Sequence, residues 1–229
     1  MAKAAATKKK PVTAAPAVKK PTFEIIDCEQ GSEEWIQARL GVPTASRFAD
    51  ILAEGQGKTR ESYLNELAGE QLTGIQAEHF VGKAMERGKA MEQEACEEYE
   101  RLRFDVTKVG FVRNAGLMRY ATVGASPDRL VGPHGGLEVK TVKPELLIGI
   151  INRGVFPSEH RAQCQGSMWV CERKWWTLKL FYTGMPKCEF TIERDETYID
   201  ELRKRVEVFS YDLKQLVKDM RARMAGGGQ

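Results

Sequence analysis

Two acidic residues and one lysine stand at a spacing that can do chemistry. Asp128 precedes a Gly/Pro-rich stretch, and Glu138 and Lys140 follow it, separated by Val139. The segment predicts a strand, a turn and a second strand in an antiparallel hairpin. Because residues i and i+2 of a strand share a face, Glu138 and Lys140 point the same way and Val139 points into the core. Asp128 can lie across from that face.

This grouping of charges predicts a metal site. Two carboxylates beside an ammonium group suit a hard divalent cation, since Mg²⁺ takes oxygen ligands and completes its shell with water and substrate phosphate. Such a site favours phosphodiester hydrolysis. The alternative is a charged hairpin in which Asp128 is only a turn residue.

The Glu-x-Lys spacing alone is weak, because the chain repeats it. Glu172 and Lys174 have the same separation, as do Asp212 and Lys214. Neither pair follows an acidic turn residue at hairpin distance. The second pair also falls in a helical pattern, where i and i+2 do not face each other.

Two predicted helices each carry one polar residue with a possible role in such a site. The first spans about 84–102, with an inward stripe of Met85, Gly88, Glu92, Ala95, Cys96, Tyr99 and Leu102. A carboxylate in an apolar stripe is costly unless it is paired or binds a metal, so Glu92 needs a partner or lies partly hydrated at the helix edge. The second starts at Ser158 as N-cap and reaches Cys171. On it, Gln163 either points toward the sheet or lies on the surface.

The segment from Arg39 to Ser46 has the form of a phosphate site. A helix capped by Ser32 is predicted over 33–40 and ends at Gly41, and a second begins at Thr44 to Ser46. Backbone N–H groups at a helix start, with two hydroxyls and Arg39 nearby, bind phosphate well. The alternative is that Thr44 and Ser46 only cap the helix.

The remaining patterns predict the elements that must position these residues. Strands are expected at 23–28, 104–108 and 110–113, helices at 61–72 and 143–154, and a second hairpin at 175–183 and 187–193. A final amphipathic helix runs from the Asp195 cap to about Met224. This order predicts one α/β domain over residues 23–225.

Charge is distributed unevenly along the chain. Six of the lysines and no acidic residue lie in residues 1–22, so the remainder carries −3 although the whole chain carries +3. Residues 1–22 lack large apolar side chains and predict a disordered basic arm, which either attracts DNA or only solubilises the protein. Residues 226–229 predict a flexible tail. The negative remainder requires any DNA contact to use a local basic surface and metal ions.

The cysteines and the lengths of the apolar runs limit the classes of protein to which the chain can belong. Five cysteines without a C-x-x-C pair suit a reducing compartment and argue against a zinc site. No stretch reaches the ~18 apolar residues of a membrane span, and no signal peptide is apparent.

Several motifs together resemble a known family. The pattern of Asp128, Glu138 and Lys140 resembles the PD-(D/E)XK nuclease superfamily. More specifically, the chain resembles the lambda exonuclease (YqaJ-type viral recombinase) family in five motifs that occur in family order. They are RLGVPTAS at 39–46, GKAME at 88–92, SPD at 126–128, LEVK at 137–140 and AQCQGSMWV at 162–170. The resemblance implies an α/β PD-(D/E)XK fold with a central mixed β-sheet flanked by helices.

The resemblance also implies an activity and a metal site. The activity is a Mg²⁺-dependent, ATP-independent exonuclease that degrades the 5′-ended strand of duplex DNA to mononucleotides and leaves 3′ overhangs. Two Mg²⁺ ions, or Mn²⁺ as a substitute, would be held by Asp128, Glu138 and the Val139 carbonyl, with Glu92 serving a second ion. Lys140 would orient or help deprotonate the attacking water and stabilise charge on the scissile phosphate, a role that suits a lysine whose pKa is lowered by desolvation. Gln163 would position Lys140 or the water.

The same resemblance implies end recognition and partners. Arg39, Ser46 and Ser126, with Thr44 beside them, match the family's pocket for a terminal 5′-phosphate. Family members form ring-shaped homotrimers around DNA and act with a single-strand annealing protein, which implies a phage or prophage enzyme in the bacterial cytoplasm.

Two features depart from the family pattern. His160 replaces a common tyrosine, and Lys143 is the nearest candidate for a basic residue after Lys140. A structure-selective endonuclease on the same core and a non-catalytic DNA-binding module remain alternatives.

Overall fold

The structure is a computed structural model that describes residues 23–53, 58–77, 83–119 and 121–226. The expected basic arm at residues 1–22 lies outside the described residues, as do residues 227–229 of the expected tail. Within the described chain, every helix is too short or too polar to cross a membrane.

Seven helices and eight strands make up the described chain. The helices are α1 (Glu33–Arg39), α2 (Phe48–Leu52), α3 (Lys58–Thr73), α4 (Lys83–Glu100), α5 (Pro144–Arg153), α6 (Arg161–Val170) and α7 (Glu196–Gly226). The strands are β1 (Phe23–Ile26), β2 (Val106–Thr107), β3 (Phe111–Asn114), β4 (Val123–Ala125), β5 (Arg129–Val131), β6 (Gly135–Thr141), β7 (Trp175–Phe181) and β8 (Cys188–Glu193). Short 3₁₀ turns at Ala45–Arg47 and Ser158–His160 precede α2 and α6.

A five-stranded mixed sheet forms the centre of the fold. Its order is β2-β5-β6-β7-β8. Only β6 and β7 pair in parallel in this sheet as described, and α5 and α6 make the connection between them. The β5–β6 and β7–β8 hairpins are antiparallel, as the sequence predicted. A second sheet, β1-β3-β4, completes the mixed α/β fold.

Helices α4 and α6 cover opposite faces of the central sheet. Eight of the ten residues of α6 are buried, so it is a core helix rather than an amphipathic surface helix. On the other face, Ala95, Cys96 and Tyr99 of α4 pack with Leu137 and Val139 of β6. The alternation of β6 therefore directs Glu138 and Lys140 toward α6, with Val139 opposite, as predicted.

The ladder between β5 and β6 is short, and this opens an edge of β6. The pairing with β5 ends at Leu137, opposite Arg129. From Glu138 to Thr141, β6 continues to pair with β7. The open edge of β6 is therefore a place where side chains from both faces of the sheet can meet.

Most of the helix ends agree with the caps predicted from the sequence. The Ser32 side chain accepts a hydrogen bond from the Trp35 N–H, and Gly41 has a φ of +66° after α1. Asp195 likewise caps α7 through the Tyr198 N–H. The prediction that Ser158 caps α6 is wrong. The chain first makes a 3₁₀ turn at Ser158–His160, whose N-cap is Pro157, and α6 begins only at Arg161.

Two expectations from the sequence are wrong between α4 and β2. Leu102 was placed in the stripe of α4, but the helix ends at Glu100 and 66% of Leu102 is accessible to solvent. Met91 is buried instead. Phe104 was expected in a strand, but β2 begins only at Val106 and Phe104 is fully exposed. The side chain of Met85 lies outside the described residues.

A glycine of α6 sets how closely the Ala45–Arg47 turn approaches. A Cβ on Gly166 would lie 2.5 Å from Phe48 Cδ2 and 3.4 Å from Ala45 Cβ. A larger residue would therefore push α6, which carries Gln163, away from the segment that carries Thr44 and Ser46.

Gly166→Ala is therefore expected to destabilise the protein by about 1–3 kcal/mol through overpacking, although alanine is the better helix former. Gly69→Ala is the matched control, because Gly69 is also helical and a Cβ there meets nothing within 4 Å. It should be neutral or stabilise by up to ~1 kcal/mol. Urea unfolding measures both, and equal effects of the two substitutions would contradict the close approach.

Candidate active site

The open edge of β6 holds the Asp128 carboxylate. Asp128 Oδ2 accepts a hydrogen bond of 2.6 Å from the Val139 N–H, so it takes the position where a further ladder bond would form. The register of β5 and β6 places Asp128 across from Glu138 when continued by one residue beyond Arg129 and Leu137. Asp128 is thus a partner of the second strand and not a free turn residue.

Glu138 is the most buried acid of the site. It is 4% exposed. Its Oε1 accepts from Lys140 Nζ at 2.7 Å and from Gln163 Nε2. Its Oε2 is buried and has no hydrogen-bond partner among the described residues. Gln163 therefore points into the site and is not a surface glutamine. The Oε2 atom of Glu138 is left without a partner among the described residues, so it can bind a ligand.

The carboxylates repel one another in a buried setting. Burial, then the Glu138 carboxylate, raises the pKa of Asp128 to about 8, although the Val139 N–H and Lys140 act to lower it. Burial also raises the pKa of Glu92, with Glu138 adding to the rise and Lys140 opposing it. Glu92 is half-buried, so it is both partly hydrated and electrostatically part of the site.

The environment of Lys140 corrects one expectation from the sequence. Burial lowers the pKa of Lys140, but Glu138, Asp128 and Glu92 together outweigh that effect and raise it above its usual value. The expected lowering was wrong because desolvation was considered without the three acids. Lys140 is therefore a stable cation in this arrangement.

The donor set fits a hard divalent cation. No three His, Cys, Asp or Glu side chains among the described residues converge closely enough to form a complete metal cage. Mg²⁺ does not need one, since it commonly uses one or two carboxylates with water and phosphate. The unpartnered Glu138 oxygen and the raised pKa of Asp128 are features that a cation would relieve. The contribution of the Val139 carbonyl stays a prediction.

A cavity of about 400 Å³ lies beside Arg39. The guanidinium of Arg39 stacks on the Trp35 ring at 4.1 Å and makes no ion pair with a described residue. Burial lowers its pKa. The Trp35 Nε1–H donates to Ser126 Oγ at 3.0 Å, so Trp35 joins Arg39 to Ser126.

The two other predicted phosphate-binding residues differ in position. Thr44 is buried and lines this cavity, whereas Ser46 is exposed and does not line it. Their hydroxyl oxygens are 3.3 Å apart. Thr44 makes no capping hydrogen bond, and its N–H donates to the Tyr63 hydroxyl at 3.1 Å. The capping role that the sequence allowed for Thr44 is therefore absent, and its backbone N–H is already used.

A second cavity, of about 270 Å³, contains Glu92 and Asp128. Gly31, Trp35 and Lys89 line both cavities. The two cavities therefore adjoin, and together they are called the cleft, with Glu92 and Asp128 at one end and Arg39 at the other.

Sequence reasoning missed the residues at the junction. Trp35 precedes Arg39 by four residues, and this spacing could have predicted that the two side chains lie on the same face of the helix. Lys89 lies three residues before Glu92 on the same helix, so its proximity to Glu92 could also have been predicted. Arg47 and Tyr63 line the Arg39 cavity through tertiary packing, which no local pattern reveals. Arg47 is charge-balanced by Glu66 at 3.1 Å and by Asp50.

The raised pKa of Asp128 predicts a stability effect in a chelator. A carboxyl whose folded-state pKa is raised stabilises the fold below its unfolded pKa near 4, and this stabilisation is lost as the pH rises through about 8. Asp128→Asn should therefore raise the melting temperature at pH 8 by at least ~3 °C, since about 1 kcal/mol moves it by ~2–4 °C. The gain should shrink toward pH 5. Melting scans in EDTA measure this, and a lower melting temperature for Asp128→Asn at pH 8 would contradict the repulsion.

Comparisons with known proteins bear on the fold and the family. The alkaline exonuclease LHK-Exo from Laribacter hongkongensis is 32% identical, with a TM-score of 0.74, over 85% of this chain and 99% of that chain. A structure of LHK-Exo in complex with dAMP gives a TM-score of 0.75 at the same identity and coverage. A phage-related exonuclease from Haemophilus somnus, 18% identical with a TM-score of 0.55 over 78% of this chain and 96% of that chain, shares the fold.

These comparisons confirm the predicted fold class, a PD-(D/E)XK nuclease fold with a central mixed sheet flanked by helices. No curated protein matches the chain significantly in sequence. The model of the YqaJ-like viral recombinase domain matches residues 34–179, which is more than half of the chain. This protein therefore belongs to the YqaJ-like viral recombinase family.

Proposed function

We propose that this protein is a Mg²⁺-dependent, ATP-independent exonuclease that degrades the 5′-ended strand of linear duplex DNA to mononucleotides and leaves 3′ overhangs. The observation that carries the proposal is the cleft, in which the cavity lined by Glu92 and Asp128 adjoins the cavity beside Arg39. Lys140 pairs with Glu138 at the acidic end, and the Arg39 guanidinium makes no ion pair with a described residue. Phosphodiester hydrolysis needs the first group of residues, and recognition of a terminal phosphate needs the second.

The acidic end of the cleft would hold the metal. Asp128 and Glu138, with the Val139 carbonyl, would bind one Mg²⁺, and Glu92 would contribute to a second, with Mn²⁺ as a possible substitute. Bound divalent ions activate water and stabilise charge on the scissile phosphate. The buried, unpartnered Oε2 of Glu138 supports this assignment, because a buried polar atom without a partner is costly.

Lys140 and Gln163 would act beside these acids. Lys140 pairs with Glu138 at 2.7 Å and is assigned to orienting the attacking water and stabilising negative charge on the scissile phosphate. Gln163 donates to the same Glu138 oxygen as Lys140, and the two donors together fix the orientation of that carboxylate. Gln163 thereby also restrains Lys140.

The other end of the cleft would select the DNA end. Arg39, Thr44 and Ser126, with Ser46 beside Thr44, are assigned to the terminal 5′-phosphate. Arg39 is half-buried and makes no ion pair with a described residue, so its guanidinium is available for charge-assisted hydrogen bonds to an anion, which are the stronger ones. Mononucleotide release is consistent with the complex of LHK-Exo with dAMP.

The proposal includes the setting in which the enzyme works. Membership of a viral recombinase family supports DNA as the substrate. It is also the ground for proposing a homotrimer around the duplex, a single-strand annealing protein as partner and action in the cytoplasm of a bacterial host. These assignments rest on the family alone.

The activity is tested with a linear duplex that carries a 5′-phosphate at one end and a 5′-hydroxyl at the other. With Mg²⁺ and no ATP, the phosphorylated strand should be lost to mononucleotides while a closed circular duplex stays intact. Asp128→Ala should abolish the reaction. Nicking of the circle would favour an endonuclease, and binding without cleavage would favour a DNA-binding module.

Arg39→Gln tests the selection of ends. It should lower kcat/KM on the phosphorylated end by about 10- to 100-fold, as expected for loss of a charged hydrogen bond of ~1.5–3 kcal/mol. Activity on a 5′-hydroxyl end should not change. Arg113→Gln is the matched control, because Arg113 pairs with Glu24 on the surface and lines neither cavity. Equal losses on both ends would remove Arg39 from phosphate recognition.

A further inference from the structure

Arg129 links the two parts of the chain that supply the proposed metal ligands. It follows Asp128 directly and is only 5% exposed. Its Nη1 donates to the Asp128 carbonyl oxygen at 2.6 Å, and its Nε donates to a carboxylate oxygen of Glu100. A buried guanidinium requires such partners, so this geometry is strongly held.

Glu100 is the last residue of α4, the helix that carries Glu92. The two are eight residues apart, which is about two turns or ~12 Å along the axis. Arg129 lines the same cavity as Glu92 and Asp128. Arg129 therefore ties the main chain at Asp128 to the helix that presents Glu92.

This tie opposes a repulsion that would otherwise separate the two elements. Glu92 contributes to the raised pKa of Asp128. The apolar packing of α4 on the sheet uses Ala95, Cys96 and Tyr99. Its other described polar contacts reach β7 or the residues just after it: Glu98 pairs with Lys179 at 3.3 Å, Thr183 donates to Glu94 at 2.8 Å, and Arg87 donates to the Tyr182 hydroxyl. None of these contacts touches Asp128, so they hold the helix without holding the hairpin.

We infer that Arg129 is a positioning residue that holds Asp128 and Glu92 at the spacing needed to bind a divalent cation. In this role it acts through its bonds to Asp128 and Glu100 and not through contact with substrate or cation. The inference rests on the metal site of the proposed function.

The direction of the change in metal affinity separates a positioning role for Arg129 from a purely electrostatic one. By Coulomb's law alone, removal of a cation beside an acidic site strengthens metal binding. A positioning role predicts the opposite, so Arg129→Gln should weaken Mn²⁺ binding about tenfold, as for other residues that orient metal ligands. Arg129→Lys keeps the charge but lacks the planar fork for two fixed donors, and it should restore binding only in part.

Glu100→Ala provides a second variant that leaves the Arg129 bond to Asp128 intact. Glu98→Ala is its matched control, because it removes the same charge from the same helix. Glu100→Ala should weaken Mn²⁺ binding, whereas Glu98→Ala should change thermal stability but leave the Mn²⁺ dissociation constant within about twofold. At saturating metal, Glu100→Ala should retain kcat and show a raised KM for the metal.

The experiment is electron paramagnetic resonance titration of Mn²⁺ into the full chain without DNA, beside Asp128→Asn. Mn²⁺ affinity that is unchanged or tighter in Arg129→Gln, with wild type binding and Asp128→Asn not binding, would overturn the inference alone. No saturable binding by wild type, or equal binding by Asp128→Asn, would overturn the proposed metal site as well. If Arg129→Gln does not fold, Glu100→Ala decides: affinity equal to that of Glu98→Ala would overturn the inference.

Discussion

Repulsion among carboxylates at the open edge of β6 is the constraint on which the site depends. Asp128 and Glu138 are brought together by a hairpin whose ladder stops one residue before them. Burial and mutual repulsion raise the pKa of Asp128 to about 8, so the fold holds this acid at an energetic cost. Lys140, the Val139 N–H and Gln163 offset part of that cost. The rest is the driving force that the proposed function assigns to metal binding.

The surrounding elements hold that acidic group in place. Helix α6 crosses one face of the sheet and aims Gln163 at Glu138, and the small Gly166 on the same helix admits the turn that follows Thr44. Helix α4 covers the other face and brings Glu92 to the edge. One helix thereby connects the acidic end of the cleft to its phosphate-binding end, and the other completes the acidic end.

Much of this arrangement could be predicted from local sequence. Strand alternation gave the common face of Glu138 and Lys140, and capping residues gave the starts of α1 and α7. The errors arose where tertiary structure decides. The end of α4 exposes Leu102, and the charges of Glu138, Asp128 and Glu92 reverse the expected pKa shift of Lys140. The shared lining of the two cavities by Trp35 and Lys89 depends on tertiary packing, which a local sequence period does not predict.

The most direct test of the account is a crystal structure of the wild-type protein with Ca²⁺ in place of Mg²⁺ and with a duplex that carries a 5′-phosphate. The account predicts Ca²⁺ bound by Asp128 and Glu138, with the terminal phosphate against Arg39 in the same cleft. A cation bound elsewhere, or a DNA end that does not reach Arg39, would contradict it.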